Sequence, residues 1–246
     1  MRSLTELANH YGSDKGTTGP SPQWPAHNYA DVYEAYLGGL RHKPIRFLEI
    51  GLGVPGENWT ANIAHGKNTG GGASIKTWYD YFPNAKIIGG DINPAGHLDN
   101  DRVTTYVLDQ GDRAQLDDFV AKSGGDFDVI IDDGSHRPDH QQVTFAALFP
   151  HLKAGGLYFI EDLMRNGVGD PNRGRYSAAH VLNTRKLFRA FAQQGKFPEP
   201  NDLSDAGKLA ADIESVAFHT PAIRISAELS FDVGAATARG ARPMTE

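Results

Sequence analysis

Two short polar runs carry most of the chemistry this sequence offers. Asp132-Asp133-Gly134-Ser135-His136 and Glu161-Asp162 put four carboxylates and an imidazole at or just beyond the ends of two β-branched, apolar stretches. Glu49, Asp91 and Asp109 stand at the ends of three earlier stretches of the same kind. Any one of these acids reads as a helix N-cap or a solvated strand end. Crowded on one rim they repel one another, and such crowding calls for a cation. Oxygen ligands with open positions suit octahedral Mg²⁺, which prefers carboxylates and keeps water or substrate oxygens. Successive strand residues face opposite ways, so Asp132 and Asp133 must serve different partners. Glu161 and Asp162 can converge on Asp133 if the chain leaves strand geometry there. A zinc site through His136 and His140 is disfavoured, because Pro138 starts a helix between them. His136, three residues beyond Asp133 and with a natural pKa near neutrality, is the candidate general base.

These residues need strands to hold them. Short β-branched runs at 45–50, 86–91, 103–109, 127–133 and 156–162 alternate with amphipathic stretches at 74–82, 112–122 and 138–149. That alternation predicts strand–helix–strand units and a parallel sheet. Ligands of open parallel sheets bind beyond the carboxyl ends of the strands, which is where the acids gather. A helix is expected over 28–40 and another over about 178–194. Runs at 213–219 and 222–229, joined too tightly for a parallel crossover, read as an antiparallel pair. The spacing predicts one domain over 1–236, with an N-terminal helical lid over about 1–42 and a disordered tail from about Thr237.

Gly51-Leu52-Gly53-Val54-Pro55-Gly56 follows the first strand in a G-x-G-x-x-G pattern. A dinucleotide fingerprint wants an acid roughly 20 residues further on, whereas Asp91 lies far beyond that. Glu49, just before the turn, would repel a pyrophosphate and suits a cationic cofactor. Glu49-Ile50-Gly51-x-Gly53, Asp91 and Asp109 together resemble the class I S-adenosylmethionine methyltransferases. The resemblance implies a Rossmann-like α/β fold: a seven-stranded, mostly parallel sheet with one antiparallel edge strand and helices on both faces. It also implies that Asp91 holds the ribose and Asp109 lies near the adenine, with Glu49, Gly51, Gly53 and Asp132 completing the cofactor site. The segment 57–73 is longer than is usual there, and Gly56 sits one place late.

Asp133-Gly-Ser-His136 and Glu161-Asp162, together with Asn9-His10-Tyr11-Gly12-Ser13-Asp14-Lys15 and His27-Asn28-Tyr29, narrow the resemblance. They are similar to the metal-dependent sugar O-methyltransferases of antibiotic biosynthesis, most of all the calicheamicin-pathway branch that methylates TDP-rhamnose. The resemblance implies Asp133, Glu161 and Asp162 as Mg²⁺ ligands, His136 with Asp133 at the catalytic centre, and assembly into homo-oligomers. Arg165, Arg173 and Arg175 in the loop 163–177 could clasp a nucleotide diphosphate. The alternatives are a glycoside already attached to an antibiotic aglycone, a catechol, or a non-catalytic nucleotide-binding module. The Tyr11 to Lys15 segment reads as a cover over its own or a neighbouring subunit's site, or as a polar turn.

Composition narrows the classes further. The chain has 246 residues, no cysteine, 30 acidic against 24 basic side chains and a net charge of −6. Disulfide scaffolds, zinc fingers and iron–sulfur clusters are thereby disfavoured. The acidic balance without a basic run argues against a surface that neutralises nucleic-acid phosphates. No run approaches the ~20 apolar residues that span a bilayer, and Met1 to Lys15 lacks the apolar core of a signal peptide. A cation or a neutral substrate is therefore expected rather than nucleic acid or membrane, the resemblance implies that it is a nucleotide sugar or glycoside, and the expected location is the cytoplasm.

Overall fold

The computed structural model describes residues 1–19, 26–57, 70–163, 182–219 and 233–239. Two N-terminal helices, α1 (Leu4–Tyr11) and α2 (Ala30–Leu37), precede the first strand, β1 (Arg46–Ile50). Then come α3 (Ala73–Tyr81), β2 (Lys86–Asp91), β3 (Val103–Val107), α4 (Arg113–Ser123), β4 (Phe127–Asp132), α5 (Pro138–Leu148) and β5 (Leu152–Ile160). The chain ends in α6 (Thr184–Gln194), α7 (Ala206–Asp212), β6 (Ile213–His219) and β7 (Val233–Ala238).

Local chemistry sets the helix limits. Ser3 and Glu6 form a reciprocal capping box on α1, which stops at Gly12 in the left-handed region (φ 71°). Asp112 accepts from the Ala114 and Gln115 N–H groups at the start of α4, and Gly124 ends it at φ 86°. Pro138 opens α5, where a missing N–H costs nothing. Asn183 caps α6 through the Arg185 and Lys186 N–H groups, so that helix begins at Thr184 rather than near 178.

Seven strands form one sheet in the order β3-β2-β1-β4-β5-β7-β6. The first five are parallel, and β7 runs against both β5 and β6. The reversed strand thus lies one place in from the edge. The strand expected at 222–229 falls outside the described residues, and β6 pairs instead with Val233–Ala238. Thr237 and Ala238 belong to this strand and not to a disordered tail, while 240–246 lie outside the described residues. Gly234-Ala235-Ala236 has low intrinsic strand preference, and pairing with neighbours on both sides decides its conformation. Helix α1 lies inside the N-terminal helical segment expected over about 1–42, whereas α7 was not expected; both are short.

Strand alternation sorts side chains into two cores. Leu48, Ile50, Ile130, Tyr158 and Ile160 pack with α4, α5 and α6 residues such as Leu116, Phe145 and Phe188. Phe47, Val129, Ile131 and Phe159 pack on the other face with Leu4, Leu7, Tyr29, Tyr33 and Trp78. Phe145 anchors the first layer, with ring centroids 4.7 Å from Phe149, 5.0 Å from Tyr158 and 4.9 Å from Phe188. Phe145→Ala is expected to destabilise the fold by about 3–5 kcal/mol, measured as a lowered urea midpoint with an unchanged slope.

Candidate active site

The same alternation builds the site. Glu49 pairs across β1 and β4 with Ile131, and Ile131 pairs across β4 and β5 with Phe159. Two residues further along β4 and β5 stand Asp133 and Glu161, so all three acids point to the face covered by α1, α2 and α3. Asp132 points to the other face. There its Oδ1 accepts from Gln110 Nε2 (2.9 Å) and Gly134 N (3.3 Å). Asp132 and Asp133 thus serve different partners.

The three acids on the α1–α3 face share a cation that the chain itself supplies. Lys15 Nζ lies 2.5 Å from Asp133 Oδ2, 2.9 Å from Glu161 Oε1 and 3.6 Å from Glu49 Oε1. Glu49 also accepts from Ser74 Oγ at 2.8 Å. The Lys15 ammonium thus supplies a positive charge near Glu49 from within the chain. Tyr33 OH donates to Glu161, and Tyr29 OH donates to Asp162 Oδ1 at 2.6 Å. Beyond Ile160 the chain leaves strand geometry, with Asp162 in the left-handed region at φ 49°. This turn aims the Asp162 carboxylate at His136, itself left-handed at φ 58°. His136 Nε2 is 3.2 Å from Asp133 Oδ1, and Nδ1 is 3.4 Å from Asp162 Oδ2. Asp133, His136 and Asp162 bring potential ligand atoms within 4.8 Å of one another. Glu161 keeps Oε1 on Lys15, while its Oε2 is buried without a hydrogen-bond partner among the described residues.

Electrostatics match a site short of positive charge. Burial pushes the Glu49 carboxyl up to about 7 against the pull of Lys15. Burial likewise raises Asp132 to about 7 despite the Gln110 hydrogen bond. At Asp133 the burial penalty is outweighed by Lys15 and His136, which hold it at about 2. Glu161 is pushed well upward by burial and by the charge of Asp133. Burial disfavours charging His136, but Asp162 and Asp133 prevail and raise it to about 9. A ring held protonated in this way donates a proton. It becomes a base once those carboxylates are engaged by another cation.

The glycine turn after β1 lies beside this cluster. Gly51 (φ 87°) and Gly53 (φ 62°) are left-handed, and a Cβ at Gly51 would collide with the Asp133 carbonyl oxygen. Asp91 fixes the turn, Oδ2 accepting from Leu52 N (2.8 Å) and Val54 N (3.5 Å) and Oδ1 from Asn93 N (2.9 Å). Asp109 is half-buried two residues past β3 and accepts from Gly111 N at 2.8 Å. Sequence reasoning missed Gln110. It is buried and ties Asp132 Oδ1 to Thr144 Oγ1 and to the Ser135 N–H. Its one signal was a polar residue directly after a strand-end acid. Arg165, Arg173 and Arg175 lie outside the described residues.

No protein-family model matches the chain. It is 39% identical over 205 residues to the mycinamicin VI 2''-O-methyltransferase of Micromonospora griseorubida, covering 80% of this chain and 46% of that protein. It is 40% identical over 160 residues to a rhamnosyl-tetracenomycin C 3'-O-methyltransferase of Streptomyces olivaceus (65% and 36%). The demethylmacrocin O-methyltransferase of Streptomyces fradiae is 38% identical over 189 residues (74% and 43%). The chain thus spans less than half the length of these curated relatives. Among solved structures, the MycE methyltransferase of the mycinamycin pathway, in complex with Mg, SAH and mycinamycin VI, superposes with a TM-score of 0.67. The match is at 27% identity and covers 99% of this chain and 57% of that one. The fold is that of the class I methyltransferases.

The His136 environment has a measurable consequence. Its pKa rises from an ordinary 6.5 to about 9 in the fold, so its ion pairs stabilise the protein fully below the unfolded value, and that contribution is lost as pH rises through the folded one. In metal-free protein the urea midpoint is expected to fall between pH 7 and 9. His136→Gln should flatten that slope, and NMR titration should place the imidazole near 9.

Proposed function

We propose that this chain is an S-adenosylmethionine- and Mg²⁺-dependent O-methyltransferase that methylates a deoxysugar hydroxyl. One observation carries the reading: Asp133, His136 and Asp162 converge beside a glycine turn held by Asp91, in a chain similar to named sugar O-methyltransferases. No helix among the described residues is long and apolar enough to cross a membrane.

In this reading Gly51 and Gly53 let backbone approach the cofactor closely, and Asp91, Asp109 and Asp132 present carboxylates along its path at consecutive strand ends. Asp133, Glu161 and Asp162 would hold Mg²⁺, and Glu161 Oε2, buried and without a hydrogen-bond partner among the described residues, fits that use. Bound Mg²⁺ would stabilise negative charge on the attacking hydroxyl and fix which hydroxyl faces the methyl group. His136, whose Nε2 faces Asp133 Oδ1, would take the hydroxyl proton, and Asp162 would keep the ring oriented through Nδ1. The layer of α1 and α2 would serve as the lid.

Within that function the acceptor we propose is a TDP-rhamnose-type nucleotide sugar, as the sequence motifs suggest, handled by a cytoplasmic homo-oligomer. A second reading is a sugar already joined to an antibiotic aglycone. It is favoured by the relatives, two of which are named for methylating mycinamicin VI and a rhamnosylated tetracenomycin.

Calorimetry is expected to show S-adenosylhomocysteine binding; binding of NAD in its place would overturn the reading. Activity should require Mg²⁺ or Mn²⁺ and vanish on chelation, whereas full turnover after exhaustive EDTA treatment would remove the metal. His136→Ala should lower kcat on the order of 10²-fold with cofactor affinity unchanged. A mass-spectrometric screen for addition of one methyl group across nucleotide sugars, glycosides and catechols separates the acceptors. Turnover of glycosides alone would select the second reading.

A further inference from the structure

The Lys15 ammonium has no part in the chemistry above, yet its side chain is only 3% exposed. Its backbone is pinned by the connection between α1 and α2. Ser13 N–H donates to the Ala8 carbonyl (2.9 Å), His27 N–H to the Asp14 carbonyl (2.6 Å) and Ala30 N–H to the Lys15 carbonyl (2.8 Å). A lysine held this way is a built part of the site and not a surface side chain that has folded inward.

Two of the acids it binds, Asp133 and Glu161, are ones that the proposed function assigns to a divalent cation, and the inference rests on that reading. Each meets Lys15 through a single oxygen, Asp133 Oδ2 and Glu161 Oε1. Asp133 Oδ1 faces His136, and Glu161 Oε2 has no hydrogen-bond partner among the described residues. Two cations drawing on the same desolvated carboxylates repel each other steeply. Without the ammonium, only the His136 imidazole and the Ser74 and Tyr33 hydroxyls would offset the mutual repulsion of Glu49, Asp133 and Glu161, and a divalent ion would relieve what remains. Both effects have the same sign.

We propose that Lys15 is the resident counter-cation of the carboxylate cluster. It is a positioning residue that holds Asp133 and Glu161 in place in the metal-free protein and competes with the divalent ion for them. The antagonism is reciprocal, as any coupling between two binding events must be. Metal binding loosens the grip of Lys15 on Asp133 and Glu161, and Glu49 retains the ammonium.

The test is Mn²⁺ titration of the full chain by calorimetry, comparing wild type with Lys15→Met and Lys15→Arg. Lys15→Met should bind Mn²⁺ on the order of tenfold or more tightly, within the usual range of coupled sites, and its thermal midpoint should rise more on metal addition. Lys15→Arg, which keeps the charge, should stay close to wild type. Equal or weaker Mn²⁺ binding by Lys15→Met overturns the inference while the proposed function stands. Wild-type protein that binds neither Mn²⁺ nor S-adenosylhomocysteine defeats the proposed function itself. If Lys15→Met does not fold, the wild type still decides. Proton exchange of the Lys15 ammonium, followed by lysine-selective NMR, should accelerate on Mg²⁺ addition, and no change or slower exchange overturns the proposal.

Discussion

One ammonium stands against three carboxylates at the ends of three adjacent strands, and much of the site's architecture follows from that imbalance. Burying an unpaired carboxylate is costly, and Glu49 and Glu161 are almost wholly removed from solvent. Lys15 reaches them only because α1 and α2 pack over the same face of the sheet. The N-terminal layer is therefore electrostatic as well as apolar in purpose. Its tyrosines continue the theme, with Tyr29 and Tyr33 lending hydroxyl donors to Asp162 and Glu161. Those rings also fill the core beneath the site.

The two faces of the sheet divide the labour. On the α4–α5 face, Gln110 links Asp132 to Thr144 and ties the β3 end to the β4 end through neutral donors. On the other face, charge meets charge. A one-residue step along β4, from Asp132 to Asp133, crosses from one regime to the other, so a register slip would exchange the partners of both acids. Backbone in the left-handed region at His136 and Asp162 then bends two loops toward each other. Such conformations persist only where surroundings over-determine them, and here Asp133, Tyr29 and the imidazole do so.

Much of this was legible from residue types and period. Strands ending in acids, amphipathic runs between them and proline at the start of α5 follow local rules, and the sheet's first five strands appear in the expected order, though β3 stops at Val107 and β5 runs over Leu152–Ile160 and not 156–162. What escaped depends on distance in sequence. Lys15 pairs with acids far along the chain, and nothing in Gly12-Ser13-Asp14-Lys15 distinguishes a buried cation from a polar turn. That Lys15 stands near Glu49 could not be seen from the residues around Glu49. Gln110 looked like loop. Strand β7 was hidden for a related reason: a Gly-Ala-Ala run becomes a strand through the neighbours it pairs with, and its own side chains give little sign of it.

The position of β7 has a consequence for how the molecule is made. β5 carries the chain into Glu161 and Asp162, and its outer edge is sealed by residues 233–238. A ribosome adds roughly 5–20 residues per second, so seconds separate the emergence of Ile160 from that of Val233. Throughout that interval β5 presents an unpaired row of N–H and C=O groups, the kind of template that invites a foreign strand. β6 emerges earlier but has no ladder of its own with β5. Completion of the acid-bearing rim therefore waits on a late, alanine-rich strand, and until it arrives the edge of the strand that leads into Glu161 and Asp162 stays open to mispairing.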